Sequence, residues 1–177
     1  QTRLLTTILH YELKAQENAR RYERAQLEAE LDVLTGVYNR RGWERLLRAE
    51  EERCRQFGLS ASVLVIDLDN LKVVNDTQGH GEGDRLIQET AQCLLNNIRS
   101  EDILARVGGD EFVILIVETN LEITQQVVQR IQEKLEENNL KASVGWAIRI
   151  HQSTLPNTLV EADKNMFQNK SERKNLC

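Results

Sequence analysis

Ile103-Leu104-Ala105-Arg106-Val107-Gly108-Gly109-Asp110-Glu111-Phe112-Val113-Ile114-Leu115-Ile116-Val117 is the stretch whose reading sets the architecture. Two apolar, strand-like runs flank a pair of glycines, which is the composition of a β-hairpin. Gly108-Gly109 can take the positive φ that a two-residue connection demands. Such a turn holds Asp110 and Glu111 as adjacent carboxylates at its tip, an arrangement suited to a hard cation and a phosphate. Turns favour Gly and Asp in any case, so a plain solvated turn explains the same residues, and a second acidic site must discriminate.

That second site follows Val63-Leu64-Val65-Ile66, a β-branched run that reads as a central strand buried on both faces and ends in Asp67-Leu68-Asp69. If this strand lies beside the hairpin, Asp67 approaches Asp110 or Glu111. The result is the oxygen-only cluster that Mg²⁺ uses when it also binds substrate phosphates. Asp69 falls at or past the strand end, where a structural role in the following turn accounts for it equally well.

Strands over 63–68, 103–107, 112–117 and 141–150 alternate with helices near 40–57, 83–99, 121–138 and 158–170. The pattern describes an α+β sandwich, one sheet covered by helices. The single proline, Pro156, precedes the last helix. Residues 1–31 contain neither Gly nor Pro, and Leu4, Ile8, Tyr11, Ala15, Asn18, Tyr22, Ala25 and Ala29 recur at alternating spacings of four and three. This heptad seam predicts either a coiled-coil connector to an upstream sensor or a single amphipathic helix capping the domain.

The chain has 177 residues, 40% hydrophobic and 29% charged, with a formal net charge of −5, enough for one domain with a sizeable core and against bulk nucleic-acid binding. Cys54, Cys93 and Cys177 are odd in number and lack metal spacing, so reduced thiols in a cytoplasmic setting are expected. No apolar run has the length of a membrane span. The start at Gln1 suggests a piece of something longer, which could be tethered upstream.

The motifs run in order along the chain: Asp32-Val33-Leu34-Thr35-Gly36-Val37-Tyr38-Asn39-Arg40-Arg41, Asp67-Leu68-Asp69-Asn70-Leu71-Lys72-Val73-Val74-Asn75-Asp76, Gly79-His80, Gly83-Asp84, Arg106-Val107-Gly108-Gly109-Asp110-Glu111-Phe112, Ser143-Val144-Gly145, Ala162-Asp163 and Lys170. On these residues the chain resembles the GGDEF-domain diguanylate cyclases, which condense two GTP into cyclic di-GMP and release pyrophosphate. The resemblance implies a βαββαβ palm-like core with a central antiparallel sheet, residues 32–177 as the catalytic domain and 1–31 as the connector. It implies that Asp67, Asp110 and Glu111 are catalytic, and that Asp67, the Leu68 carbonyl and Asp110 or Glu111 hold Mg²⁺ or Mn²⁺. Glu111 is also a candidate for assisting deprotonation, and the sequence does not separate those roles.

By the same resemblance Asn75 and Asp84 select guanine, a carboxylate accepting from N1 and N2 while an amide donates to O6. Read without the family, Asn75 is a turn residue and Asp84 a helix N-cap. Lys72, Gly109, Lys170 and Lys174 are expected on the substrate side. Lys174 stands where an arginine is common and Leu71 where a phenylalanine is common, departures that bear on GTP affinity. His80 matches the family but reads as structural. Arg99-Ser100-Glu101-Asp102 resembles the RxxD inhibitory product site, with Arg130 a candidate to complete it. One GTP pocket per domain implies a homodimer. The alternatives are a catalytically silent cyclic di-GMP receptor and a GTP-binding regulatory module.

Overall fold

The computed structural model describes residues 2–150 and 152–175, with the side chains of 2–9, 11, 27 and 173–175 outside that description; Cys177 lies outside it altogether. Six helices, α1 (Thr2–Glu30), α2 (Arg40–Phe57), α3 (Leu71–Gln78), α4 (His80–Leu95), α5 (Leu121–Glu137) and α6 (Leu155–Asn175), accompany five strands. The strands are β1 (Tyr38–Asn39), β2 (Ser62–Leu68), β3 (Ile103–Arg106), β4 (Glu111–Ile116) and β5 (Ala142–Ile148), in the spatial order β1-β3-β4-β2-β5. All pairings are antiparallel except β1 with β3, so the sheet is mixed, with a two-residue parallel edge added to the antiparallel core.

Alternation along the strands builds two cores. Leu64, Ile66 and Leu68 of β2, with Phe112, Ile114 and Ile116 of β4, face Ile87, Ala91 and Leu94 of α4 and Val127, Val128 and Ile131 of α5. Val63, Val65, Val113, Leu115 and Ala147 face Trp43 and Leu47 of α2 and Leu155, Ala162 and Met166 of α6. Covered on both faces, β2 is a buried strand, apolar from Val63 to Ile66, with half-buried Asp67 at the site end. Gly145 lets α6 settle directly on β5: a Cβ there would run into the Met166 backbone and the Ala162 carbonyl. That close approach carries the far end of α6 to the end of β2.

Four expectations need correction. The region from 71 to 78 is helix α3, so Asn75 is helical rather than a turn residue. Helix α4 begins at His80 with Gly79 as its N-cap, which places Asp84 inside the helix and removes its capping role. The same helix ends at Leu95, freeing residues 96–102 to turn toward β3. Pro156 sits in the first turn of α6, where a missing N–H costs nothing; Thr154 Oγ1 accepts from Asn157 N (3.3 Å).

The junction after α1 is tightly tied. Glu30 is buried and receives Arg45 through Nε (2.8 Å) and Nη2 (2.7 Å). Asn39 Nδ2 donates to the carbonyls of Ala29 and Leu31 while its Oδ1 caps α2 at Gly42 N (3.0 Å). Ala15, Asn18, Tyr22, Ala25 and Ala29 of the heptad seam are all exposed, whereas the side chains of Leu4, Ile8 and Tyr11 lie outside the described residues.

Candidate active site

The hairpin between β3 and β4 differs from the two-residue turn expected of it. Residues 107–110 connect the strands, Val107 N donates to Glu111 O (2.9 Å), and neither Gly108 nor Gly109 occupies the left-handed region. Space is tight at Gly108: a Cβ there would lie 3.2 Å from Glu111 Cβ and 3.3 Å from its Oε2. Gly109 opens onto free space on its Cβ side. Two guanidiniums brace the turn from below. Arg40 Nη2 donates to the Val107 carbonyl (2.5 Å), and Arg106 Nη2 donates to the Gly109 carbonyl (2.7 Å) while its Nη1 meets Asp32 Oδ1 (3.2 Å). Burial alone would raise the Asp32 carboxyl, but the Thr35 hydrogen bonds and the Arg106 charge hold it below the usual carboxylate range.

The two acidic sites are neighbours. Asp67 of β2 stands opposite Glu111 of β4 in the antiparallel register, and Leu68 N donates to the Asp110 carbonyl (2.9 Å). Directly opposed residues have Cβ atoms only about 4.5–5.5 Å apart, so the two carboxylates share one patch of surface. Burial, then the negative charges of Asp163, Asp67 and Asp110, push Glu111 above the usual carboxylate range against the pull of Arg40. Lys170 of α6 answers this surplus: its Nζ lies 2.5 Å from Asp67 Oδ1. Burial works against the ammonium, but Asp67, with Asp69 and Asp110 behind it, holds it above the ordinary lysine range. Asp69, just past β2, accepts from Ser143 Oγ (3.1 Å) and donates its N to the Lys141 carbonyl (2.9 Å), the structural role allowed for it.

Among the described residues no three His, Cys, Asp or Glu side chains form a ready-made metal cluster. The donor set nonetheless fits Mg²⁺, which is commonly held by one or two carboxylates together with substrate phosphates and water. Cross-strand Asp67 and Glu111 supply hard oxygens where negative charge is in excess, and the Leu68–Asp110 backbone bond ties the remaining candidate donors to them.

Asn75 and Asp84, the residues expected to select guanine, lie close together. Asn75 of α3 presents its side-chain Oδ1 against Gly83 of α4, where an added Cβ would overlap that oxygen, one residue from exposed Asp84. Lys72 is exposed on α3. Lys174 continues α6, its side chain outside the described residues. On the far side of the domain, Arg99 is exposed, but Asp102 is turned inward at 8% exposure. Asp102 Oδ2 accepts from Arg99 N (3.0 Å) and Oδ1 from Val117 N (3.2 Å), so both oxygens are engaged by backbone. Burial raises its carboxyl despite these bonds. Arg130 reaches the same turn through the Asn97 carbonyl (2.7 Å).

Sequence reasoning left Arg40 and Asp163 out of the site. Asp163 carried a readable signal: it lies seven residues before Lys170, two helical turns, and so shares its face of α6. Arg40 carried none, because its contact is with a backbone carbonyl 67 positions away.

A family model described as "Diguanylate cyclase, GGDEF domain" matches residues 29–176. The chain belongs to the GGDEF domain family of diguanylate cyclases. Diguanylate cyclase DosC of Escherichia coli K12 is 37% identical over 123 residues, 70% of this GGDEF chain and 27% of DosC. Diguanylate cyclase DgcS of Shewanella oneidensis is 32% identical over 164 residues, 89% of this chain and 55% of DgcS. The chain thus spans about a quarter to a half of these curated relatives. Among solved structures, diguanylate cyclase SiaD of Pseudomonas aeruginosa, in complex with its activator SiaC, superposes with a TM-score of 0.80 at 31% identity, covering 97% of this chain and 70% of that one. The coiled coil and GGDEF domain of DgcB from Caulobacter crescentus, in complex with c-di-GMP, gives 0.83 at 20% identity over 96% and 95%, a likeness of fold alone. No helix among the described residues is long and apolar enough to cross a membrane.

Proposed function

We propose that this GGDEF chain is an active diguanylate cyclase that joins two GTP molecules into cyclic di-GMP, with residues 32–177 as the catalytic unit. The observation that carries the reading is Asp67 opposite Glu111, beside a turn whose Gly109 leaves room for a phosphate. Asn75 and Asp84 receive the guanine edge, the amide donating to O6 and the carboxylate accepting from N1 and N2. Lys72 and Lys174 meet the triphosphate as point charges, joined by Lys170. The 3′-hydroxyl of one GTP attacks the α-phosphorus of the other, forming the new P–O bond as the bond to pyrophosphate breaks. Glu111, whose carboxyl is raised above the usual range by burial and neighbouring carboxylates, takes the hydroxyl proton in this reading. Mg²⁺ or Mn²⁺ held by Asp67, Glu111 or Asp110 and the Leu68 carbonyl neutralises phosphate charge when bound.

Each domain holds one nucleotide, so two domains must face each other. In this reading the exposed seam on α1 pairs them and receives a signal from an upstream sensor, and the Glu30–Arg45 and Asn39–Ala29 bonds tie that helix to α2. Product inhibition is assigned to the turn bearing Arg99, with Arg130 beside it and Asp102 shaping the turn from inside.

Incubation of the chain with GTP and Mg²⁺ at high protein concentration, followed by chromatography for cyclic di-GMP, tests the proposal. Product that disappears in Asp67→Asn and Asp110→Ala supports it. Absence of product at every concentration, with cyclic di-GMP still bound, replaces it by the receptor reading.

A further inference from the structure

Lys170 contacts the acidic site differently from Lys72. Its ammonium lies 2.5 Å from Asp67 Oδ1, in a pocket where the side chains of Lys170 and Asp67 are 25% and 16% exposed. The position is imposed from a distance: Gly145 lets α6 approach β5, Met166 and Ala162 are buried beneath, and Lys170 follows one turn after Met166 on the same face. A carboxylate oxygen that accepts so short a charged bond has its lone pair directed at nitrogen. A dication arriving at Asp67 would meet a unit positive charge within a few ångström, a repulsion not fully screened at this burial.

We propose that Lys170 is the resident counter-ion of the metal site: with no nucleotide bound it holds Asp67 and keeps divalent cations off, and an arriving triphosphate draws it away, admitting cation and nucleotide together. The inference rests on the metal-site reading above and goes beyond it by making one residue the source of coupling between the two ligands. Lysine suits the task chemically. Its ammonium is a compact charge on a flexible four-carbon stem, free to pass from a carboxylate to a phosphate oxygen without leaving its helix, whereas a guanidinium would fork onto the carboxylate and stay. By linkage, a cation excluded until the nucleotide binds must strengthen nucleotide binding by the same factor.

Mn²⁺ binding, followed by loss of the free aquo-ion signal in electron paramagnetic resonance, provides the test without turnover. In the absence of nucleotide Lys170→Met is expected to bind Mn²⁺ about tenfold more tightly than the unmodified chain, on the scale of one partly screened charge. Lys170→Arg, which keeps the charge, is expected to bind no more tightly. Adding 3′-deoxy-GTP, which lacks the attacking hydroxyl, should tighten Mn²⁺ binding strongly in the unmodified chain and only weakly in Lys170→Met. Asp67→Asn introduced into Lys170→Met should abolish the gained site. Equal Mn²⁺ affinity in the unmodified chain and Lys170→Met overturns the proposal and identifies the pair as a brace between α6 and β2. If cyclic di-GMP still forms, the cyclase reading stands while this one falls. No Mn²⁺ binding in any variant, with no product from GTP, overturns both.

Discussion

Asp67 and Glu111 oppose each other across the β2–β4 ladder, so two residues 44 positions apart place their carboxylates on one patch at the end of the sheet. Like charges directly opposite destabilise a sheet, by an amount comparable to the ~0.2–1 kcal/mol of a favourable pair. Glu111→Gln is therefore expected to leave thermal stability unchanged or slightly raised and Asp67→Asn, which also breaks the Lys170 ion pair, to lower it slightly, while both lower cyclic di-GMP formation by about a hundredfold or more, the scale of losing a group that acts on the reacting atoms. Melting temperature and chromatographic rate, measured on the same preparations, check it. A parallel loss of both would show the carboxylates to be structural.

Gly83→Ala separates recognition from folding. The added methyl meets side chains rather than backbone: the Asn75 amide, which must rotate aside, and Leu71 Cδ1 at 3.3 Å. Stability should change little, while the Michaelis constant for GTP rises and discrimination against ATP falls, by up to the roughly 1–3 kcal/mol that a base-edge pairing supplies. Steady-state kinetics with both nucleotides is the measurement; an unaltered Michaelis constant would remove Asn75 from the guanine site.

At the proposed inhibitory turn, Arg99 and Asp102 should behave differently. Arg99→Ala removes an exposed guanidinium and is expected to relieve product inhibition with stability intact. Asp102→Ala strips the acceptors from the N–H groups of Arg99 and Val117 and should cost about 1–3 kcal/mol of stability as well. Denaturant titration alongside inhibition by added cyclic di-GMP distinguishes the two effects.

Glu51 of α2 anchors two segments, the end of β5 and the start of α6. Its Oε2 accepts from Arg149 Nε (3.0 Å) and Leu155 N (2.7 Å), its Oε1 from Arg149 Nη2 (3.0 Å). The Arg149 hydrogen bonds, with smaller help from the Leu155 N–H, hold its carboxyl below the usual range despite burial. A depressed carboxyl contributes stability that is fully present above the unfolded-state value of about 4.3 and is lost as pH falls through the folded-state value. Glu51→Gln should thus cost about 1.5–3 kcal/mol at neutral pH, a difference that shrinks in acid below pH ~4. Urea unfolding of both proteins at pH 7 and pH 3.5 measures it.

In the proposed mechanism turnover depends on two domains meeting. Activity per protomer should rise with protein concentration and level off once dimers dominate, as followed by light scattering and product formation together. Concentration-independent activity from a scattering mass of one chain would remove the two-domain mechanism.

Four of the five strands, the acidic positions and the family were legible in the sequence alone, whereas β1, two residues long, carries no strand pattern of its own. Short β-branched runs ending in Asp67 and beginning at Glu111 are local patterns, and local patterns survive in one dimension. Helix α3 escaped notice because eight residues with Asn and Asp among them carry little periodicity, and the start of α4 was misplaced because Gly79 caps it without a side chain. The form of the hairpin turn was misjudged for a related reason. Glycine serves either a positive φ or a lack of space, and composition does not say which; at Gly108 it is the nearness of Glu111. Only the folded chain shows the contacts between residues distant in sequence: Asp67 against Lys170, Arg106 against Asp32, Asp102 turned inward onto Val117. Charges and hydrogen bonds act over a few ångström, and which groups come within that range is set by strand order and by the seating of α6 on Gly145, neither of which is written in any single stretch of the chain.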